Sequence, residues 1–128
     1  YTDDAHYWIP ASEDQPDAVN HVSHVFDDRV MMEIRRRNFV HPRASSKEWS
    51  VRCSHVIGNV RRTESDSDDD ITILSNQQVV VHYRDEQRIY AFTATHRLVP
   101  YGNSYKIRSK RVDLINAEAA QPSLIIYL

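Results

Sequence analysis

The sequence predicts an α+β fold, a long, curved, mostly antiparallel sheet with few helices. Three observations carry this. Apolar and polar residues alternate over residues 71–83, 89–99 and 105–115, the period-2 pattern of strands with one buried face. Only residues 28–37 carry apolar side chains at helical spacing. The apolar phase also slips inside two strand segments, which marks β-bulges, and bulges bend a sheet. A bent sheet needs something packed in its concave face. At 128 residues the chain fits one domain, 1–128, with one core.

Residues 5–9 are aromatic-rich and stopped by Pro10, so they read as a strand. Residues 11–17 are polar, contain Pro16 and read as a loop. Residues 21–26 read as extended, with Val22, His24 and Phe26 on one side. Asp27 or Asp28 then caps a helix running to about Arg37, since a carboxylate accepts from free N–H groups and suits the positive helix end. Val30, Met31 and Ile34 are the expected packing stripe, and Arg35, Arg36 and Arg37 sit at the negative end.

Residues 41–48 read as a loop and 49–62 as a strand with an irregularity near Gly58. An acidic surface loop covers 64–70. In the next strand Ile71, Ile73, Val79, Val81 and Tyr83 share one face, and 84–88 turn the chain. Tyr90, Phe92, Ala94 and Leu98 share a face of the following strand. Its other face, with Ile89, Ala91 and Thr93, is apolar enough to suggest cover on both sides, by helices or a neighbouring subunit. Residues 100–103 turn again. Tyr105 and Ile107 are out of phase with Val112 and Leu114, which places a bulge near Lys110 or Arg111. Residues 123–128 read as a last strand.

Composition excludes several functions. Net charge is −2, so overall balance implies no nucleic-acid surface. No run approaches the ~20 apolar residues of a membrane span, and the start shows no signal-peptide pattern. Two glycines, Gly58 and Gly102, are too few for a phosphate-cradling loop or a dinucleotide fingerprint. Cys53 is the one cysteine, so no internal disulfide forms, which suits a reducing cytoplasm. A Rieske cluster needs two Cys and two His, and one Cys rules that out.

The remaining candidates have plain alternatives beside them. Asp17, His21 and His24 have tempting metal-ligand spacing, but in an extended segment the two histidines fall on opposite faces, and solvated or hydrogen-bonded histidines are the better reading. Asp66, Asp68 and Asp70 mimic a calcium loop, but Ile71 stands where glycine is needed and Gln77 replaces the closing glutamate. Cys53 and His55 share a strand face as a thiol–imidazole pair does, yet a lone strand cysteine is usually a small buried hydrophobe. Asp4, His6, Tyr7, His55 and Tyr90 are candidates for an acid–base set inside a hollow sheet, against the reading that they line an interface or cap the core. Trp8, Tyr7, Met31, Met32 and Trp49 fit either core or contact surface.

Four places, in order along the chain, resemble the small (β) subunit of aromatic-ring-hydroxylating dioxygenases. They are Asp3-Asp4-Ala5-His6-Tyr7-Trp8-Ile9-Pro10; Phe26-Asp27-Asp28-Arg29 with the helix after it; Ser54-His55-Val56-Ile57-Gly58-Asn59-Val60; and the block from Ile89 to Leu128. Two features depart from the pattern: a Tyr-Gly-Asn-Ser turn where a tryptophan-containing one is common, and a more polar 116–120.

The resemblance implies a cone-like fold (a cystatin-like roll) shared with scytalone dehydratase and ketosteroid isomerase, with helices preceding Tyr1. It implies a structural, non-catalytic subunit in a cytoplasmic hexamer of three α and three β chains, with β subunits meeting around a three-fold axis. The α subunit would carry the Rieske 2Fe-2S cluster and mononuclear iron. A reductase, often with a ferredoxin, would bring electrons from NAD(P)H to dihydroxylate aromatic rings in aromatic hydrocarbon catabolism. This chain would then hold no catalytic residue, cofactor or metal. The alternative is a stand-alone dehydratase or isomerase with an acid–base pocket inside the cone.

Overall fold

Short turns between long alternating strands leave the chain little choice but consecutive hairpins. A computed structural model, which describes residues 1–41, 51–63 and 70–128, contains β1 (His6–Pro10), β2 (Ser23–Asp28), α1 (Arg29–Val40), β3 (Arg52–Thr63), β4 (Ile71–Tyr83), β5 (Glu86–Tyr101) and β6 (Ser104–Leu114). The strands form one sheet in the order β2-β1-β6-β5-β4-β3. All neighbours are antiparallel except β1 and β6, which run parallel. The architecture is the expected curved, cone-like α+β sheet.

The turns explain the register. Arg84 and Asp85 both take left-handed conformations, φ 53° and 62°, so Tyr83 pairs directly with Glu86 in a two-residue hairpin whose twist matches the strands. The β5–β6 turn is narrower than 100–103, because Pro100 and Tyr101 remain paired with Tyr105 and Ser104. Gly102, at φ 57°, occupies its first central position, where a side chain is disfavoured.

Three register shifts bend the sheet, the first where His24 of β2 is extra between the Ile9–Val25 and Pro10–Ser23 pairs. In β3 the register slips between Gly58 and Arg61, as the phase change at Gly58 suggests, and Asn59 absorbs the extra residue at φ 49°. In β6 the extra residue is Arg108 rather than Lys110 or Arg111, since Arg97 pairs with Ser109 and Leu98 with Ile107. The bulge frees the Arg108 guanidinium to reach buried Asp70, with Nη1 at 3.0 Å from Oδ2. On the convex side Arg111 stacks over Trp8, 4.5 Å from the ring, and donates to the Gln15 and Glu13 carbonyls at 2.7 Å. It thereby pins the loop after β1.

The core lies on the concave face. Tyr7, Ile9, Val79, Val81, Phe92 and Val112 are each at most 2% exposed. The row Tyr90, Phe92, Ala94 is buried as its alternation predicts. Among the described residues the opposite face of β5 is only half covered: Ile89 is exposed and Ala91 and Thr93 are half-buried.

Four expectations are corrected. Residues 123–128 form no strand; they run as an irregular tail into the hollow of the sheet, where Leu128 is buried and Leu124, Ile125 and Ile126 are half-buried. The strand expected at 21–26 is shifted to Ser23–Asp28, and its inward side carries Val25 and Asp27. Cys53 is exposed rather than buried, because β3 is an edge strand open on both faces. The helix is capped as expected, with the Asp28 carboxylate accepting from Met31 N–H at 2.8 Å, but it buries a different side. Met32 is 6% exposed, whereas Val30, Met31 and Ile34 are 65%, 41% and 44% exposed. Met32, Arg35 and Phe39 share the face toward the hollow, because α1 lies against β2 at the rim rather than across the sheet. The expectations for 42–48, Trp49 and 64–69, including Asp66 and Asp68, lie outside the described residues.

The helix face sets an expected ranking. Met32→Ala should cost the isolated chain about 2–4 kcal/mol, the usual penalty for a buried large-to-small change. Ile34→Ala should stay within about 0.5 kcal/mol. Urea unfolding of both variants checks this, and the reverse order would restore the Val30–Met31–Ile34 packing face.

Candidate functional site

Cross-strand pairing places four titratable side chains side by side. Asp27 of β2 pairs with Tyr7 of β1, Tyr7 with Lys110 of β6, and Lys110 with His96 of β5. All four belong to inward-facing sets. Tyr7 alternates with Ile9, Lys110 with Val112 and Leu114, and His96 with Ala94, Phe92 and Tyr90. A polar row thus crosses the concave wall.

The tail meets this row. Lys110 Nζ donates to the Leu128 main-chain oxygen. Tyr7 Oη lies 3.4 Å from the same oxygen and accepts from the Leu128 N–H at 3.1 Å. Tyr127 Oη donates to Asp27 Oδ2 at 2.7 Å, and Arg35 of α1 also pairs with Asp27, which is 2% exposed. The Tyr7 and Tyr127 rings meet edge to face, with centroids 4.8 Å apart.

Burial sets the protonation states. It lowers Lys110 to about 8. Burial first, and the nearby Lys110 charge second, lower His96 to about 4. Burial raises both Tyr7 and Tyr127 above the usual phenol value, and for Tyr127 the hydrogen bond to Asp27 adds to the effect.

Beside the tail lies a half-open cavity of about 460 Å³. Tyr7, Ile9, Val25 and Phe39 form apolar walls, Leu124 to Tyr127 form another, and Arg36, Cys53 and His55 stand at its polar side. Of the five residues considered for an acid–base set, this hollow gathers only Tyr7 and His55. Asp4 is exposed and lies 3.8 Å from Arg108. His6 meets the Phe26 ring at a tilt, with centroids 5.9 Å apart, and Tyr90 is packed in the core. Cys53 and His55 do share the cavity side of β3.

The Asp17, His21, His24 trio does not converge. Asp17 accepts from the Val19 and Asn20 N–H groups, His21 stands 3.6 Å from it, and His24 turns to the Ala117 carbonyl at 2.6 Å. Among the described residues no three His, Cys, Asp or Glu side chains gather as a metal site. Asp27, Lys110, His96 and Tyr127 were missed as site residues. Parity along their strands was the available signal for the first three, because each occupies an inward step between or beside apolar ones.

A bulged sheet wrapped around a hollow, with α1 at its rim, is the cone-like architecture of the scytalone dehydratase type. Within it the chain belongs to the ring hydroxylating beta subunit family, whose model matches residues 1–120. It is similar to the β subunit of benzoate 1,2-dioxygenase from Burkholderia mallei, with 26% identity over 94% of this chain and 76% of that one and a TM-score of 0.71. A structure of naphthalene 1,2-dioxygenase with indole in its active site matches with a TM-score of 0.79 and 14% identity, over 99% of this chain and 70% of that chain. A hexachlorocyclohexane dehydrochlorinase shares the fold, with a TM-score of 0.60 and 12% identity over 97% of this chain and 77% of that one. No curated protein matches the chain.

The state of His96 makes stability depend on pH. Folded, it stays neutral down to about pH 4; unfolded, it takes a proton near 6.5. The unfolded chain therefore binds more protons between those values, and stability should fall as pH drops from about 6.5 to about 4. Urea midpoints across this window should fall less steeply for His96→Gln than for the parent. Parallel curves would mean that His96 titrates alike in both states.

Proposed function

We propose that this chain is a structural, non-catalytic subunit of an aromatic-ring-hydroxylating dioxygenase, assembling with a catalytic α subunit. One observation carries the reading. The polar groups inside the cone, which an acid–base enzyme would present to substrate, are engaged by the chain's own Tyr127 and Leu128. One cysteine does not fit a Rieske cluster, and among the described residues the scattered histidines do not fit a mononuclear iron centre. Those centres would belong to α, which inserts O2 into the ring with electrons drawn from NAD(P)H through a reductase, often with a ferredoxin. Residues 1–128 act as one domain of a cytoplasmic hexamer of three α and three β chains, with β contacts around a three-fold axis.

The surface suits such a role. Val30, Met31 and Ile34 form an exposed apolar stripe on α1, and Val56, Ile57 and Val60 stand exposed on the edge strand β3. Exposed apolar patches of this kind mark association surfaces, and obligate interfaces commonly bury over ~2,000 Å². The rival reading, a stand-alone dehydratase or isomerase, draws on the row Asp27, Tyr7, Lys110, His96. It requires the tail to leave before a substrate can reach that row.

Alone, the chain should show no turnover of aromatic substrates; mixed with α, it should co-elute in size-exclusion chromatography and support O2 uptake. Ile34→Asp and Val56→Asp should leave the melting temperature of the isolated chain unchanged and weaken assembly at least ~10-fold, as desolvating a charge at an interface does. Conversion of substrate by the lone chain, or failure to associate with any α subunit, would overturn the subunit reading.

A further inference from the structure

We propose that the cavity between the two outer strands of the sheet binds a small neutral aromatic molecule bearing a hydroxyl, which it presents to His55. The inference needs only this chain and does not rest on the subunit reading.

The cavity exists because the sheet curls. Strands β2 and β3 are the outermost of the sheet, with four others between them. Yet Val25 of β2 and Cys53 and His55 of β3 line the same half-open hollow of about 460 Å³. That volume lies within the ~300–1,000 Å³ of small-molecule sites. Much of the lining is aromatic: the Tyr7, Phe39 and Tyr127 rings border the space, beside the aliphatic Ile9 and Val25. Rings meet a guest ring edge to face or offset-stacked, and such pairs gain more than their buried area alone, so this lining favours an aromatic guest over an aliphatic one of its size.

The polar side decides the charge of that guest. Two guanidiniums border the cavity, and both are committed. Arg35 pairs with Asp27, and Arg36 holds Glu33 through two hydrogen bonds, at 2.9 and 2.8 Å. An anion entering the cavity would lose hydration without gaining an uncommitted guanidinium. A cation would approach two of its own sign. Among the described residues, the His55 ring and the Asn38 carboxamide, which also line the space, have no hydrogen-bond partner. Imidazole and carboxamide offer both donors and acceptors, and a hydroxyl, which donates and accepts, satisfies either. A ring seated between Val25 and Phe39 would turn its hydroxyl across the hollow to His55.

The test uses 2-naphthol on the full chain, with naphthalene as the counterpart lacking the hydroxyl and 2-naphthoate as the one carrying a charge. Calorimetry at neutral pH should show one saturable site for 2-naphthol. Its affinity should exceed that for naphthalene at least ~5-fold, the equivalent of one hydrogen bond, and that for 2-naphthoate at least ~10-fold. Cys53, the one cysteine of the chain, reports the location: saturating 2-naphthol should slow its labelling by N-ethylmaleimide at least ~5-fold. His55→Phe, a change on an exposed edge strand, should bring 2-naphthol down to the affinity of naphthalene and leave naphthalene binding unchanged. Cys53 labelling that is unchanged at saturation would overturn the proposal, because the ligand would then sit elsewhere. So would equal binding of 2-naphthol and naphthalene, tighter binding of 2-naphthoate, no saturable binding, or a 2-naphthol affinity unchanged in His55→Phe; only the last of these needs a variant to fold.

Discussion

A curved sheet encloses a hollow, and every polar group that points into it must find a partner or lose its hydration for nothing. That constraint governs this chain. Asp27, Tyr7, Lys110 and His96 enter the hollow because register places them there. The tail supplies partners for three of them, through the Tyr127 hydroxyl and the Leu128 main chain. His96 meets the constraint differently, by staying neutral. The position of the tail, the place of α1 through Arg35, and the protonation pattern therefore follow from one requirement. Apolar burial around it supplies the driving force, with Leu128 closing the same cluster as Tyr7, Ile9 and Val112.

Curvature is where sequence irregularity becomes shape. One extra residue in β3 and one in β6 disrupt the ladder locally and bend the sheet. Each bulge has a side-chain consequence. Asn59 donates to Asn76, which donates on to Thr93, tying β3, β4 and β5 across the face. Arg108 turns out of the ladder to meet Asp70 where β4 begins. On the outside Arg111 does similar work for the loop after β1. Its guanidinium has a carboxylate, two carbonyls and an indole face as partners.

The same geometry leaves surfaces unfinished. An edge strand open on both faces and a helix with an exposed apolar side are liabilities for an isolated protein, but they are ordinary in one that lives in an assembly. Membership of the ring hydroxylating beta subunit family gives those surfaces a context. Interior and exterior thus differ: residues of the chain itself fill the inside, while apolar side chains of α1 and β3 stay exposed outside.

Alternation and turn chemistry by themselves determined most of the sheet. The bounds 71–83 coincide with β4, the inward row Tyr90, Phe92, Ala94 is buried, Gly58 marks a bulge, and Asp28 caps the helix. These are local properties, written in residue spacing. The candidate site was legible only in part, through Tyr7 and His55. Lys110 and His96 sat on inward steps, but nothing in a single strand says that two such residues from different strands are neighbours; pairing across hairpins decides that. The helix face could not be read either. Val30, Met31 and Ile34 form as good a stripe as Met32, Arg35 and Phe39, and the choice fell to the direction in which the sheet's rim presents itself. Residues 123–128 carry a strand-like composition, yet the space left to them was the hollow of a curved sheet. There the Tyr7 hydroxyl and the Lys110 ammonium offered the Leu128 main chain the hydrogen bonds that a neighbouring strand would otherwise have given.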